Sequence, residues 1–455
     1  MPLSELTEEE VATHVGQLRM VPKGSFAAQP PPPFDAFFVR NGHLYVPRFY
    51  GLRAWGAARR DLTAPGEPIT CTHFEGELNE TQRHAAEAVL STLRADAPSP
   101  RGGLLCLACG MGKTVTSIWI ALALGVRTIC LCHKAFLLEQ WRERILAFAP
   151  GCRVGIVKQD RVEVEGVDFV LASIQSVSVR EYGNIFAPFG LLIVDECHHV
   201  AAPCFSRAIQ KIPAAHVLGL SATPERKDGL TPLLHHSLGE TMFRAERDRD
   251  QSHVRVAQLV YDVPERRRVF EGRDGRPLFA KMLNHIARDD RRTSFAAEEL
   301  LPLLRKGRHC ICLSDRIAQL RDFESVLHQN GVRDAVMYVG TSTAEERERA
   351  ADARLILSTY CMAREGLDIP RLDTLLMLSP VGDAEQAVGR VLRSHPQKAT
   401  PLVLDVVDPY SVWANMSRKR CRFYQKNGYT VTAGSGGRPQ PQEEAHLLES
   451  VMLQV

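Results

Sequence analysis

The chain has no apolar run near the roughly 20 residues that a membrane span needs. Ser117 to Val126 is the stretch to consider, and it is too short; it reads as a buried helix. No charge of one sign dominates either. There are 56 basic and 53 acidic side chains, a net charge of +3, so no strongly basic surface advertises a polyanion, although a basic groove does not require one. The amino-terminal stretch Met1-Pro-Leu-Ser-Glu-Leu-Thr-Glu-Glu-Glu10 is acidic and lacks the pattern of a signal peptide, so an intracellular protein is expected. Twelve cysteines are present, yet no two pairs stand at zinc-ribbon spacing. Cys106-x-x-Cys109 has no second pair, and Cys130-x-Cys132 and Cys310-x-Cys312 alternate along apolar runs; nearly all read as reduced core thiols. His198-His199 and His235-His236 are adjacent, so on a strand or helix their rings diverge and a metal pair is not expected.

Against these absences stands one informative run, Leu105-Cys106-Leu107-Ala108-Cys109-Gly110-Met111-Gly112-Lys113-Thr114, a phosphate-binding loop between a short apolar strand and a helix over Val115 to Leu124. Small residues let backbone N–H groups approach phosphate oxygens, and the helix N-terminus adds partial positive charge. Lys113 would reach the β- and γ-phosphates, and the Thr114 hydroxyl would ligate Mg²⁺. The first glycine position of the full pattern holds Leu107. A second strand-end site follows in Leu191-Leu-Ile-Val194-Asp195-Glu196-Cys197-His198. Asp195 would hold Mg²⁺, and Glu196 would orient and deprotonate the attacking water. In Gln386-Ala-Val-Gly389-Arg390-Val-Leu-Arg393 two arginines fall at i and i+3 on one expected helix face, suited to the charge of a phosphoryl-transfer transition state. Gly389 costs a helix about 1 kcal/mol relative to Ala, which points to a close backbone or ligand approach.

The series Leu107–Thr114, Asp195–His198, Ser221-Ala222-Thr223 and Gln386–Arg393 resembles motifs I, II, III and VI of the superfamily 2 helicases. Between them, Gln82 resembles the upstream glutamine that reads adenine. Lys134 to Trp141 resembles motif Ia, Ser173-Ile-Gln175-Ser176 the next nucleic-acid contact, Leu313-Ser314-Asp-Arg316 motif IV, and Ser358-Thr359 through Glu365-Gly366-Leu-Asp368 motif V. The resemblance spans roughly Leu78 to Asp408. It implies an ATP-dependent helicase that uses ATP and Mg²⁺. Catalysis would rest on Lys113, Glu196, Gln386, Arg390 and Arg393. Leu107, Ala108, Cys109, Gly110, Met111, Gly112, Lys113, Thr114, Gln82, Gly366 and Asp368 would line the nucleotide. Ser221, Ala222 and Thr223 would couple it to movement, and Lys134, Gln175, Arg226, Ser314, Arg316 and Thr359 would contact nucleic acid. Within the superfamily the chain is most similar to the XPB type; it carries Arg226-Lys-Asp228 where that type has Arg-Glu-Asp, a reversal of charge at the middle position. Leu44-Tyr-Val-Pro-Arg-Phe-Tyr-Gly51, and Asp408-Pro-Tyr-Ser-Val-Trp413 through Arg422-Phe-Tyr-Gln-Lys-Asn-Gly428, are similar to helicases of large DNA viruses, the iridoviruses in particular. A viral protein would act in the nucleus or cytoplasm of its host, or in the virion.

The expected fold is α/β, two tandem RecA-like domains with parallel sheets, plus a small N-terminal module and a short C-terminal tail. Residues 1–76 form the accessory module, with a stiff Pro30-Pro-Pro-Pro33 stretch and β-like alternation over Phe34 to Tyr50. Residues 77–245 form the ATP-binding domain, with continuous apolar strands at Leu104–Leu107, Thr128–Leu131, Phe169–Ala172, Leu191–Val194 and Val217–Leu220. Residues 246–279 read as a charged linker or hairpin with no core of its own. Residues 280–412 form the second domain, with strands at Cys310–Leu313, Ala335–Val339, Leu355–Leu357, Thr374–Leu378 and Leu402–Val406. It has no phosphate loop, so Arg390 and Arg393 must act on a nucleotide held by the other domain, at the cleft between the two. Residues 413–455 are a basic, aromatic extension: Trp413 to Tyr429 suits either a nucleic-acid grip or a helix packed on the second domain. Gly434 to Gln442 is a flexible linker, and Glu443 to Val455 an amphipathic helix that docks on its own chain or on a partner protein. The expected partner is nucleic acid, DNA favoured, with the chain a monomer and no membrane involved. RNA helicase or transcript-release activity, or a nucleotide-gated scaffold without unwinding, are the alternatives. Five intact catalytic side chains, Lys113, Asp195, Glu196, Arg390 and Arg393, argue against a scaffold.

Overall fold

The computed structural model describes the whole chain except residues 24–31, 96–100, 109, 200–201, 223–224, 227, 247–252, 274, 367–368, 394, 397 and 434–455. The Pro30–Pro33 stretch in part, and the linker and amphipathic helix expected after Gly434, therefore lie outside the described residues. The chain divides into two compact units, Met1–Glu246 and Arg247–Val455.

The first unit is built on an eight-stranded sheet. Its strands run in the order Thr241–Ala245, Gly102–Leu107, His216–Ser221, Leu191–Val194, Thr128–Cys132, Phe169–Ser173, Val154–Lys158 and Arg161–Val162, and only the last is antiparallel to its neighbour. The strand pattern sorts side chains onto two cores. Leu105, Leu107, Cys130, Phe169 and Ile193 pack with the helices Glu80–Leu93, Lys113–Leu124 and Ala135–Phe148. Leu104, Cys106, Ile129, Val170 and Leu192 pack toward Ile174–Val179, Ala202–Gln210 and Thr231–Leu238. Helices on both faces are what a parallel sheet of continuous apolar strands requires.

The N-terminal segment joins this unit. Helix Glu8–Leu18 starts at a capping box on Thr7 and Glu10, and helix Arg48–Trp55 follows a hairpin of Phe38–Arg40 and His43–Tyr45. Leu18, Met20, Ala36 and Tyr50 share one core with Leu230 and Leu233. Beyond that helix the chain becomes a strap. The Ala64, Glu67 and Ile69 amides donate to the Pro213, Pro188 and Gly125 carbonyls. Its last anchor is Asp168, a buried carboxylate that accepts the Thr70 amide, the Thr70 hydroxyl and the Arg153 amide at 2.7–2.8 Å. Burial works against this charge, but those donors outweigh it and hold the carboxyl below the usual range.

The second unit is a seven-stranded, wholly parallel sheet in the order Ala335–Tyr338, Leu355–Ser358, Cys310–Leu313, Thr374–Met377, Leu402–Val407, Arg255–Val260 and Thr430–Ala433. Two of these strands differ from the sequence reading. Arg255–Val260 lies inside the segment 246–279 expected as a linker without a core, yet Val256, Ala257 and Leu259 are buried between two other strands. Thr430–Ala433 lies in the C-terminal extension and forms the sheet edge. Arg255–Val260 is hidden by charged flanks and Thr430–Ala433 by its shortness beside a glycine-rich stretch, and their ladder partners are far away in sequence. The helix between, Ser411–Lys426, packs on the sheet through its buried Arg420 and Tyr424, while its Trp413 packs with Met282, Leu283 and Ile286 of helix Phe279–Ala287. Arg420 makes a bidentate pair with Asp405 at 2.8 and 3.0 Å and also donates to the Val381 carbonyl. Among the described residues no helix is long and apolar enough to cross a membrane.

Candidate active site

Five parallel strands of the first sheet, Gly102–Leu107, His216–Ser221, Leu191–Val194, Thr128–Cys132 and Phe169–Ser173, lie side by side. Their C-terminal ends share one rim, the place where ligands bind in open α/β sheets. The phosphate loop, the Asp195-Glu196 pair, Ser221, Lys134 and Gln175 all follow these ends directly.

Leu107 is a buried core residue and so belongs to the strand, which is why a glycine is not needed there. The loop turns at Gly110 and Gly112, both at φ 84°, a left-handed backbone that residues with a Cβ rarely adopt. At Gly112 a Cβ would also stand 2.2 Å from Gln82 Nε2. That nitrogen donates to the Met111 carbonyl at 3.1 Å, while Gln82 Oε1 accepts the Asn79 amide at 3.0 Å. The capping box that starts helix Glu80–Leu93 thus also fixes Gln82 against the loop. Ala108 donates to the Ala245 carbonyl and accepts the Met111 amide, closing the turn. Cys109 lies outside the described residues. Lys113 opens its helix and is buried; its Nζ donates to the Leu107 carbonyl at 3.2 Å and stands 3.9 Å from Glu196 Oε1. Thr114 follows it, half-buried.

Asp195 is buried at the end of its strand. Burial first, then the neighbouring Glu196, push its carboxyl up to about 6, and the Trp141 indole works against them by donating to Oδ2 at 2.9 Å. A buried carboxylate held at this disadvantage suits a divalent cation. Asp195 and the Thr114 hydroxyl offer the oxygen donors that Mg²⁺ prefers. Trp141 was named in the sequence only as the end of a motif, without a role. A buried indole N–H needs an acceptor, but its partner, 54 residues away, is not legible in the sequence. Glu196 has φ 43°, uncommon for a residue with a side chain, and such strain costs about 1–3 kcal/mol where the surroundings enforce it. Its carboxylate lies between Lys113 and His198 Nδ1, the latter at 3.5 Å. His198 Nδ1 also pairs with Ser221 Oγ at 2.9 Å, joining the second motif to the third. Cys197 is buried, and burial pushes its thiol well up, so it is a packing residue. Ala222 is half-buried; Thr223 lies outside the described residues.

The nucleic-acid candidates divide. Lys134 caps helix Ala135–Phe148, and Gln175 is exposed with its Nε2 donating to the His133 carbonyl at 2.6 Å. Arg226 is not presented outward as expected. It pairs with Asp228 through Nε at 3.0 Å and donates to the His198 carbonyl at 2.9 Å, because a shielded guanidinium must find acceptors.

The second unit, taken by itself, carries the remaining candidates. Gln386 and Arg390 lie on helix Glu385–Arg390, and Arg390 is buried. The helix ends there, so Arg393 follows it in a turn instead of sharing its face; Leu392 donates to the Gly389 carbonyl at 3.4 Å, a weak last turn beside a glycine. Ser314 is buried, its hydroxyl donating to Gln319 Oε1 at 2.7 Å and accepting the Arg316 amide at 3.0 Å. It therefore positions Arg316 and is not itself presented to a strand. The Arg316 side chain donates to Asn284 Oδ1 at 2.6 Å. Thr359 Oγ1 accepts the Met362 amide at the start of helix Tyr360–Gly366. Asp368 lies outside the described residues.

Residues 75–226 match a family described as the res subunit of type III restriction enzymes. A protein of Acanthamoeba polyphaga mimivirus, assigned as an ATP-dependent RNA helicase, is 29% identical over 404 residues, covering 87% of this chain and 77% of that one. A helicase assigned in Invertebrate iridescent virus 6 is 23% identical, covering 80% and 84%. The viral likeness is thus not particular to iridoviruses, since the mimivirus protein has the higher identity. The fold is shared with yeast Dbp5 bound to RNA and ADP–BeF3, at TM-score 0.53 and 13% identity, covering 82% of this chain and 93% of that chain. The family match and the viral helicases agree with two tandem RecA-like folds, and the chain is accordingly an ATP-dependent helicase similar to these proteins.

Proposed function

We propose that this helicase is a nucleic-acid motor of the XPB type that acts on DNA, hydrolysing ATP on the rim of the first sheet. The observation that carries this reading is the convergence of Lys113, Asp195, Glu196, His198 and Ser221 at adjacent strand ends, with Gln82 of helix Glu80–Leu93 set against the phosphate loop. Gln82, fixed beside the phosphate loop, reads the adenine. Lys113 neutralises charge on the β- and γ-phosphates. Glu196, held off by its backbone and poised beside Lys113, takes the proton of the attacking water. Asp195 and Thr114 would hold Mg²⁺, which would supply charge neutralisation for the phosphates. Arg390 and Arg393 of the second unit, assisted by Gln386, are supplied to the same nucleotide, so that hydrolysis alternates two states of the pair of units. The His198–Ser221 bond passes the change at Glu196 to the third motif.

Lys134, Gln175, Arg316 and Thr359 meet phosphates, with Ser314 and Arg226 holding their surroundings. Such contacts are blind to sequence and strongly salt-dependent. The DNA assignment rests on the XPB-like Arg226-Lys-Asp228 and the viral-type ends. The name of the mimivirus relative favours RNA as the second reading. ATPase activity measured in parallel with single-stranded DNA, duplex DNA and RNA, across a salt titration, separates them. Stimulation by DNA of any sequence, fading steeply with salt, is expected. Stimulation by RNA alone would move the substrate to RNA, and indifference to all three would sink the nucleic-acid motor.

A further inference from the structure

The hairpin of the N-terminal segment takes no part in the ATP site. Phe38–Arg40 and His43–Tyr45 pair antiparallel around Asn41 and Gly42, whose φ values of 49° and 68° suit a tight two-residue turn. Alternation sends Val39 and Leu44 to one face and Phe38, Arg40, His43 and Tyr45 to the other. Leu44, 1% exposed, holds the hairpin to the body of the unit. The opposite face is turned to solvent: Phe38 is 43% and Tyr45 44% exposed, and Arg40 and His43 are exposed beside them. Among the described residues these are the only two exposed Phe, Tyr or Trp side chains.

The Phe38 and Tyr45 rings stack on each other with centroids 4.6 Å apart and planes 5° apart, and the His43 ring is 6.5 Å from that of Tyr45. A cross-strand pair of this kind stabilises a hairpin by roughly 0.2–1 kcal/mol. Register alone does not call for it, because a β-branched pair serves the same end without presenting rings to water. The hairpin also belongs to a module joined to the catalytic rim. The Lys23 amide donates to the Asp228 carbonyl at 2.8 Å, Asp228 holds Arg226, and Arg226 donates to the His198 carbonyl.

We propose that this hairpin face is a stacking platform for an unpaired base of a nucleic-acid strand, with Arg40 and His43 meeting the adjoining phosphates. The inference rests on the reading of the chain as a nucleic-acid motor. Every base has a π-face, so an aromatic platform is tolerant of sequence and contributes about 1–3 kcal/mol per base, while the Arg40 guanidinium matches the backbone charge. The same chemistry serves DNA and RNA.

The test is equilibrium binding of short labelled single strands of DNA and of RNA to the full chain and to a Phe38→Thr/Tyr45→Thr double variant. Threonine keeps the strand preference, and Leu44 still anchors the hairpin, so the unfolding temperature should fall only slightly, by the loss of one cross-strand pair, and the strand-free ATPase rate should be unchanged. The double variant should lose about tenfold or more in affinity for whichever strand the wild type binds. Tyr45→Phe should retain it, and a strand of abasic residues should bind variant and wild type alike. Arg40→Gln, which leaves the rings in place, should weaken binding of abasic and normal strands equally. Unchanged affinity of the double variant would overturn the platform while the motor reading stands. An equal loss on the abasic strand would also overturn it, since the rings would then not be reading bases. If the wild type binds neither strand, the motor reading falls and the platform with it.

Discussion

At the scale of single residues, the site depends on groups whose neighbours constrain them. Lys113 is held between the Leu107 carbonyl and Glu196, and Glu196 is kept in a left-handed backbone. Lys113→Ala should abolish ATP hydrolysis, because transition-state charge is the main quantity the site must stabilise. Glu196→Gln should still bind ATP, measured with a fluorescent nucleotide, yet hydrolyse it at least ~100-fold more slowly. A variant that kept most of its turnover would place water activation elsewhere. Arg390→Ala should leave binding nearly intact and reduce turnover by about 10³-fold, with Lys a poor replacement because a planar fork is needed. A loss of ATP affinity with normal turnover at saturation would instead assign Arg390 to ground-state binding. Arg393 is expected to behave likewise, although it stands beyond the helix that carries Arg390. That last detail was not legible in the sequence: the i, i+3 spacing is helical only if the helix continues, and the turn after Gly389 ends it.

At the scale of elements, the composition of helix Ser411–Lys426 allows either a nucleic-acid grip or packing on the second domain, and the structure shows the packing. Its interleaved cations suit a nucleic-acid grip, but Arg420 and Tyr424 point inward to the same Asp405 carboxylate. Desolvation acts against the Arg420 charge, and Asp405 more than offsets it. Arg420→Ala should therefore destabilise the chain by ~3–5 kcal/mol, read from urea unfolding, since it leaves a buried carboxylate without its partner. The joint Arg420→Met/Asp405→Leu variant should recover much of that loss. If the single change were silent, the helix would be held by its apolar contacts alone. The strands at Arg255–Val260 and Thr430–Ala433 teach the same lesson from the other side. Each is short, and each is a strand only because a neighbour offers a parallel ladder, Leu402–Val407 for the first and the first for the second.

At the scale of the whole molecule, the first unit includes a segment that the sequence set apart. His236, on helix Thr231–Leu238, accepts a hydrogen bond from Arg53 at 2.9 Å and packs edge-on to Tyr50, so it joins the N-terminal module to the sheet. Burial, followed by the charges of Arg53 and His235, pushes its pKa down to about 4. The unfolded chain, with an ordinary value of 6.5, then binds more protons than the folded one between those two pH values. Stability from this group is complete above pH 6.5 and is lost as pH falls toward 4. His236→Gln should flatten that part of the curve of unfolding temperature against pH, by the equivalent of about one proton. Identical slopes for variant and wild type would show that the module is not held through this ring.

What the sequence determined by itself was local. The phosphate loop, the acidic strand end and the apolar strands are each read within about ten residues of chain, because strand burial and loop geometry are set by neighbours in sequence. They sufficed for a candidate ATP site and for two parallel α/β sheets. Only the tertiary structure decided which distant groups share that site: Trp141 on Asp195, Gln82 in the space that Gly112 leaves, His198 on Ser221. It also decided that Arg226 and Arg420 pair with carboxylates, and that the N-terminal module and the strand Arg255–Val260 belong to the two folded units. The physical reason is that a buried polar group must find a partner somewhere, while the sequence shows only that it needs one.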